Sequence, residues 1–255
     1  PIFGGKVFVS RLSEEPRLRV GMGLGDDDFM QFMSNEDDYV VYAGAERKGI
    51  LPKSKIAILR YKDNQYSFDG KVLEFSSSQF IRLEPQSDPR AVFTVFNLKR
   101  GVDWVTTENA NKYRGTAEFR LGEVEQKLYL VNELLLEDYV AGVAETSNNA
   151  PTEFIKANLA AARNYAYVSK GKYPFFDVVG NTYDQLYLGY VSEIKMTKVA
   201  QAARDTRGVM ITYNNEIITP RKYLFFIKAM GLMNITQYIN FFHHDLLTTA
   251  FIVLL

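Results

Sequence analysis

Residues 131–143, VNELLLEDYVAGV, lie where the hydrophobic period of the chain changes. Just before this point, Lys127 to Val131 has the short apolar and β-branched pattern of a strand. From Leu134 onward the apolar side chains fall at the spacing of one helix face, at Leu136, Tyr139, Val140 and Val143. The stretch therefore predicts a strand that is followed at once by a helix.

The neighbouring segments predict further helices and strand pairs. Tyr113 to Arg120 is predicted to pair with the strand at Lys127 around Gly122. Pro151 suits a helix start, because its missing N–H is one that the first turn leaves unbonded. The other predicted elements are a helix from Pro151 to about Gly171, a helix from about Glu193 to Thr206 that is capped by Gly208, and a hairpin of 209–213 and 216–219 around Asn214-Asn215.

The first 110 residues read as mostly strand. The predicted strands are 6–9, 17–20, 39–42, 56–59 and 91–96. Asp69-Gly70 predicts a hairpin turn, because glycine tolerates the positive φ that such turns require. We therefore predict an α+β protein with a strand-rich region at 1–110, a mixed helical and stranded domain at 111–220, and an atypical tail at 221–255.

The composition excludes several kinds of function. Lys plus Arg equals Asp plus Glu at 30 each, and we expect no nucleic-acid partner, because a phosphate-binding face needs a basic excess. The chain has no cysteine, which removes thiol nucleophiles and thiolate metal sites. His243 and His244 are its two histidines, and adjacent side chains point in different directions. Carboxylates therefore remain as the groups for proton transfer.

A glycine-rich segment, Gly21-Met22-Gly23-Leu24-Gly25, follows a predicted strand and invites comparison with a dinucleotide-binding loop. Asp26, Asp27 and Asp28 follow it directly, and three carboxylates would repel a pyrophosphate. We interpret the segment as a flexible acidic turn.

Glu145 has the local setting that a catalytic carboxyl needs. It ends an apolar helix and opens the polar loop 146–149, so that it can border a cleft. Apolar neighbours such as Val143 and Ala144 could raise its pKa. The alternative is a solvated surface charge, which is the usual state of a glutamate.

Four segments, in order along the chain, resemble the SpoIID/LytB family. Residues 131–143 resemble its signature VNELPLEDYLxGV, with Leu135 where the family often has proline. Residues 156–166, KANLAAARNYA, resemble its KAQAVAARTYA helix. Residues 183–190, YDQLYLGY, resemble its QxYxG stretch, and residues 202–213, AARDTRGVMITY, resemble its AVxxTxGxVLTYNG stretch.

This resemblance implies an action on peptidoglycan. The family includes a sporulation lytic transglycosylase that cleaves glycan strands stripped of stem peptides, and proteins described as amidase enhancers. The acid of the transglycosylase is the Glu of an SEM tripeptide just after the GV helix, and Glu145 stands at that place. The resemblance thus implies cleavage of glycan strands with Glu145 as general acid and base.

The resemblance also implies substrate-binding residues. Arg163 and Tyr165 match positions on the helix that faces the cleft, where Arg163 would orient Glu145 or bind a sugar carboxyl or acetamido group. Gln185 and Tyr187 would line the sugar groove. The alternatives are a structural, paired arginine for Arg163, and packing or loop capping for Gln185 and Tyr187. Tyr139 is assigned first to the core.

Two departures from the family pattern matter. Some members bind zinc through Cys and His, and the matching ligands are absent here, so we expect no metal and no cofactor. After Pro220 the family continues with a YFSxSDGRT-like stretch, whereas residues 221–231 read RKYLFFIKAMG. A frameshift in the gene or its assembly would explain this segment and the tail that follows.

We expect a protein of the cell envelope or the extracellular space whose partners are glycan strands and a cell-wall amidase. The chain begins with Pro1 rather than Met, so we expect a fragment, and a signal peptide or membrane anchor would lie upstream. The rival functions are a non-catalytic glycan-binding or amidase-activating role, and a hydrolase that uses a second carboxylate such as Asp184.

Overall fold

The computed structural model describes residues 7–98, 111–122, 124 and 126–218. These residues form sixteen strands and four helices, and the strands concentrate before residue 136. The arrangement confirms the predicted α+β class with a strand-rich N-terminal part. The predicted tail at 221–255, its frameshift and both histidines lie outside the described residues.

The elements have the following bounds. The strands are β1 Val7–Arg11, β2 Arg17–Gly23, β3 Phe29–Ser34, β4 Tyr39–Ala43, β5 Glu46–Leu51, β6 Ile56–Lys62, β7 Gln65–Asp69, β8 Glu74–Ser77, β9 Ile81–Pro85, β10 Val92–Val95, β11 Lys112–Arg114, β12 Thr116–Gly122, β13 Lys127–Leu135, β14 Val178–Val179, β15 Val209–Tyr213 and β16 Glu216–Ile217. The helices are α1 Leu136–Gly142, α2 Thr152–Val168, α3 Tyr190–Lys195 and α4 Thr197–Asp205.

Three sheets organise the strands of the described residues. Their orders are β14-β2-β13-β12-β9-β4-β5, β11-β10-β3-β6-β7-β8 and β1-β15-β16. β2 pairs antiparallel with β13, and β1 pairs antiparallel with β15. Strands from the N-terminal region therefore flank strands of the later region, and the proposed boundary at residue 110 stays a prediction.

Gly115 marks the point where the chain changes sheets. The predicted strand from Tyr113 to Arg120 is divided there into β11 and β12, which belong to different sheets. Gly115 has a φ of 84°, and a Cβ at this position would lie 2.5 Å from the carbonyl oxygen of Glu133. Only glycine fits this corner, because other residues would need both the left-handed backbone and the missing space.

The predicted glycine-rich turn is wrong for Gly21 to Gly23, which lie within β2. A Cβ on Gly21 would approach the ring of Phe176 to 2.7 Å, so the glycine makes room for an aromatic side chain. The hairpin at Gly70 is confirmed between β7 and β8, but the residue with positive φ is Lys71, at 63°.

The helices follow the predictions with one exception. α1 begins directly after β13, and α2 begins just after Pro151. The predicted third helix is divided into α3 and α4, because Met196 has a φ of −103° and a ψ of 65°. The hairpin around Asn214-Asn215 is confirmed, with φ of 51° and 66° at the two residues. Across the described ranges, no helix combines the length and apolarity needed to cross a membrane.

Candidate functional site

The end of α1 holds the loop that carries Glu145 against a second segment of chain. Val143 forms an isolated β-bridge with Tyr187, and the N–H of Ala144 donates to the carbonyl of Leu186 at 2.8 Å. Gly142 permits this approach, because a Cβ there would lie 2.6 Å from the Tyr187 ring. The backbone therefore places Glu145 beside the segment 185–187.

The carboxyl of Glu145 is desolvated yet reachable. Its side chain is partly exposed, and within the described residues no Lys, Arg or His forms an ion pair with it. Burial raises the pKa of Glu145 to about 7, and hydrogen bonds from the Gln185 side chain and the Leu186 N–H offset part of that rise. An acid with this pKa exchanges protons readily near neutral pH.

Gln185 connects Glu145 to a buried tyrosine. Its Nε2 donates a long hydrogen bond of 3.5 Å to Glu145, while its Oε1 accepts one of 3.0 Å from the Tyr139 hydroxyl. Burial, followed by the nearby charge of Glu145, raises the pKa of Tyr139 well above its ordinary value. Tyr139 therefore stays a donor and fixes which end of the Gln185 amide faces Glu145.

Tyr139 thus has a second role beside the predicted core packing. Its ring stacks on that of Tyr187 with centroids 5.1 Å apart, as a core residue would. Its hydroxyl nevertheless belongs to the Glu145 cluster. A helical spacing identifies the buried face of α1 but says nothing about where a hydroxyl on that face finds its acceptor.

Arg163 lies apart from Glu145. It is fully buried, and it donates to both carboxyl oxygens of Glu137 at 2.8 Å and 2.7 Å, and to the carbonyl of Val209 at 3.2 Å. A side chain with no exposed surface has no route to a sugar in this arrangement. The geometry therefore favours the structural alternative for Arg163.

Tyr187 is likewise buried, with 2% of its surface exposed. Its hydroxyl donates to Asn132 Oδ1 at 2.9 Å, and its ring packs between those of Tyr113 and Tyr139. The structure therefore places Tyr187 in the core behind the site. Gln185 is also buried, but its side chain donates a hydrogen bond to Glu145, whereas that of Tyr187 bonds Asn132.

Tyr165 belongs to a neighbouring polar cluster. Its hydroxyl donates to Asp184, which also accepts hydrogen bonds from Lys172 Nζ and, at 2.8 Å, from the Val179 N–H. Burial of Asp184 would raise its pKa, but these three hydrogen bonds outweigh it and hold the pKa below its ordinary value. Asp184 directly precedes Gln185, so the cluster fixes the segment that faces Glu145.

Tyr183 is a residue that the motif comparison passed over. It lies in the same segment as Gln185, and 81% of its surface is exposed. An exposed aromatic ring offers an apolar face on which a ligand can pack. Its place at the start of the YDQLYLGY stretch is the feature of the sequence that could have identified Tyr183.

The fold and the site together define an α+β domain with one partly exposed, unpaired acid beside the 183–187 segment. The family model for SpoIID, the stage II sporulation protein, matches residues 124–213. This match confirms the resemblance of the segment to the SpoIID family. The match supports a peptidoglycan-related role for the matched segment and an association with the cell wall.

An uncharacterized protein of Brachyspira hyodysenteriae (strain ATCC 49526 / WA1) is 30% identical to the chain over 168 residues. The aligned region covers 62% of this chain and 44% of that relative, so the chain spans less than half of the relative's length. No solved structure shows a significant match. The amidase partner and the upstream membrane anchor stay predictions.

Proposed function

We propose that the protein cleaves peptidoglycan glycan strands as a lytic transglycosylase, with Glu145 as general acid and base. One observation carries the proposal: Glu145 is a partly exposed acid that forms no ion pair with any cation of the described residues, and burial raises its pKa to about 7. The buried acids around it are neutralised, Glu137 by Arg163 and Asp138 by Arg90.

The reaction needs a single carboxyl. Protonated Glu145 donates its proton to the glycosidic oxygen as the bond from that oxygen to C1 breaks. The C6 hydroxyl of the same sugar then bonds to C1, and the carboxylate accepts the hydroxyl proton. The acid is regenerated, an anhydro ring closes, and no water is consumed. A pKa near 7 suits both steps, because the group must give and take a proton at similar cost.

Gln185 and Tyr183 are the residues that we propose to act beside Glu145. Gln185 orients the Glu145 carboxyl through its amide, which Tyr139 holds in one orientation. Tyr183 offers an exposed ring on which a sugar can pack. Tyr165 contributes indirectly, because it holds Asp184 and thereby the segment that carries both residues.

The arrangement of Asp184 disfavours the hydrolase alternative. A hydrolase needs a second carboxylate that activates water or forms a covalent intermediate. The Asp184 side chain has no exposed surface, and it accepts hydrogen bonds from Lys172, Tyr165 and the Val179 N–H. A buried carboxylate held in this way is poorly placed to activate a water molecule in a groove.

Cleavage of peptide-stripped glycan strands, with the products analysed by mass, tests the proposal. We expect anhydromuramyl ends from the wild type, and a loss of about 10²- to 10⁴-fold in Glu145→Gln. Glu153→Gln is the matched control, because Glu153 is an exposed α2 residue that pairs only with Lys156. Reducing ends would indicate a hydrolase, and an absence of cleavage by the wild type would indicate a binding role.

A further inference from the structure

The loop after α2 forms one wall of a second cleft. This aromatic cleft, of about 370 Å³, lies between the rings of Phe80, Tyr173 and Phe175 and the guanidinium of Arg120. Glu145, Gln185 and Tyr139 are not among its lining residues. The cleft is therefore a feature separate from the acid site.

Arg120 lies between two aromatic rings at this cleft. Its guanidinium carbon is 4.6 Å from the centroid of Phe80 and 4.8 Å from that of Phe175. The side chain is partly exposed, and it forms no ion pair with any carboxylate of the described residues. The rings fix the plane of the guanidinium while its N–H donors remain available at the edge.

The acids that line the cleft are already bonded. Glu118 accepts hydrogen bonds of 2.6 Å from both Arg19 and Arg82. Asp177 accepts from the backbone N–H groups of Arg19 and Gly171, each at 2.8 Å. Both carboxylates are thus held by other donors, and among the described residues neither forms an ion pair with Arg120, whose guanidinium lies beside apolar ring surfaces.

We propose that the aromatic cleft binds a carboxylate-bearing N-acetylated sugar of the glycan strand, with Arg120 on the carboxylate and the rings of Tyr173 and Phe175 against the sugar. The inference rests on the proposed function, which supplies the substrate class. A planar guanidinium recognises a carboxylate through two parallel hydrogen bonds. A muramic sugar stripped of its stem peptide carries such a carboxylate on its lactyl group, whereas a peptide-linked one has an uncharged amide there.

The same loop connects the cleft with the acid site. Tyr173 and Phe175 follow Lys172, whose ammonium group bonds Asp184, the residue before Gln185. A ligand that packs on Tyr173 therefore contacts the loop that holds the Glu145-facing segment. The cleft would act as a binding subsite that selects strands by the charge of the lactyl group.

NMR titration of isotope-labelled protein tests this inference with two sugars that differ in the lactyl group. We expect N-acetylmuramic acid to shift the amide signals of residues 171–177 and to bind at least about tenfold more tightly than N-acetylglucosamine. Arg120→Gln removes this preference and Arg120→Lys reduces it. Arg47→Gln keeps it, because Arg47 is an exposed arginine outside the cleft.

A ligand-side control does not depend on any variant's ability to fold. The methyl ester of N-acetylmuramic acid lacks the charge, and we expect it to bind wild-type protein as weakly as N-acetylglucosamine does. Equal binding of acid and ester, a preference that survives in folded Arg120→Gln, or shifts confined to 183–186 would each overturn the inference.

The titration tests the cleft and the cleavage assay tests the proposed function, so that either proposal can be refuted without the other. Cleavage of glycan strands without lactyl-dependent shifts at 171–177 would refute the cleft and leave Glu145 as the acid. Lactyl-dependent shifts in a protein that cleaves nothing would support the cleft and refute the transglycosylase. Repeating the titration with Glu145→Gln should give the same shifts, since Glu145 does not line the cleft.

Discussion

Glu137 lies in the first turn of α1 and Glu145 lies just after the end of that helix, and their carboxyl groups have opposite surroundings. Both oxygens of Glu137 are bonded to the buried Arg163, and one also accepts the Gly208 N–H at 2.8 Å. Glu145 has only weak neutral donors and a pKa raised to about 7 by burial. A buried acid that a cation accompanies is thus held in a fixed ion pair, whereas burial without a cation raises the pKa of the acid.

The seven-stranded sheet repeats the Glu137 arrangement on a larger scale. Glu133 bonds Arg17, Arg19 and Arg82, and Glu118 bonds two of the same arginines. Burial of Glu133 would raise its pKa, but its hydrogen bond and attraction to Arg82, followed by its other arginines, lower it overall. Among these acids, Glu145 is the exception.

The largest effect on stability is expected from Glu137→Gln. The substitution leaves the guanidinium of Arg163 buried without its counter-charge, and we expect a loss of about 3–5 kcal/mol in the free energy of unfolding. Urea denaturation measures it, with Glu153→Gln expected to stay within about 0.5 kcal/mol of wild type. A loss below about 1 kcal/mol for Glu137→Gln would contradict the structural role that the ion pair with Arg163 gives to Glu137.

Glu145→Gln should stabilise the protein, and only at high pH. The folded-state pKa of about 7 exceeds the ordinary value of 4.5, so the folded state binds more protons between these values and stability falls as pH rises through them. Gln cannot ionise and avoids this loss. We expect a gain of up to about 3 kcal/mol at pH 8, lessened by solvent screening of the partly exposed group, and almost none at pH 4.

The same pKa should appear in the kinetics. Above about pH 7 we expect kcat/KM for glycan-strand cleavage to fall about tenfold per pH unit, because the proton on the general acid is lost. A profile measured from pH 4 to 9 checks this. A rate that already falls from the acid end of this range would instead implicate Asp184, because its burial raises its pKa but the hydrogen bonds from Lys172 and Tyr165 lower it overall.

The smallest effect is expected from Tyr139→Phe. Loss of one buried hydroxyl should lower the free energy of unfolding by about 1 kcal/mol. It should also free the Gln185 amide, so that the decline of kcat/KM at alkaline pH moves to a higher pH. Tyr187→Phe is a matched control, because its hydroxyl bonds Asn132 in the same stack. This variant should lose similar stability and leave the pH of the alkaline decline unchanged. An equal change of that pH in both variants would show that Gln185 does not orient Glu145.

The sequence predicted most of the local structure around the site. A change of hydrophobic period locates the passage from β13 to α1, and Asn214-Asn215 locates a hairpin, because both depend on neighbouring residues. Met196 is different, since nothing in its neighbourhood marks the break between α3 and α4. Strands β3, β5, β9 and β14 also escaped prediction.

Long-range pairing could not be predicted. A period of two predicts a strand but not its partner, and β1 finds β15 from the far end of the described chain. The same holds for side chains. Arg163 is a plausible site residue in the sequence, and only the packing of α2 against α1 shows that Glu137 neutralises it. Glu145 stands out in the structure by the absence of such a partner in the described residues.

The pairing of β1 with β15 and of β2 with β13 has a consequence for how this domain can be cut and transplanted. The family match begins at residue 124, downstream of both N-terminal strands. A piece trimmed to 124–213 would expose the backbone edges of β13 and β15, which are ready templates for aggregation. Expression designs and domain swaps should therefore carry β1, β2, β12 and β16 along with the matched segment, because these four strands pair with β13 and β15.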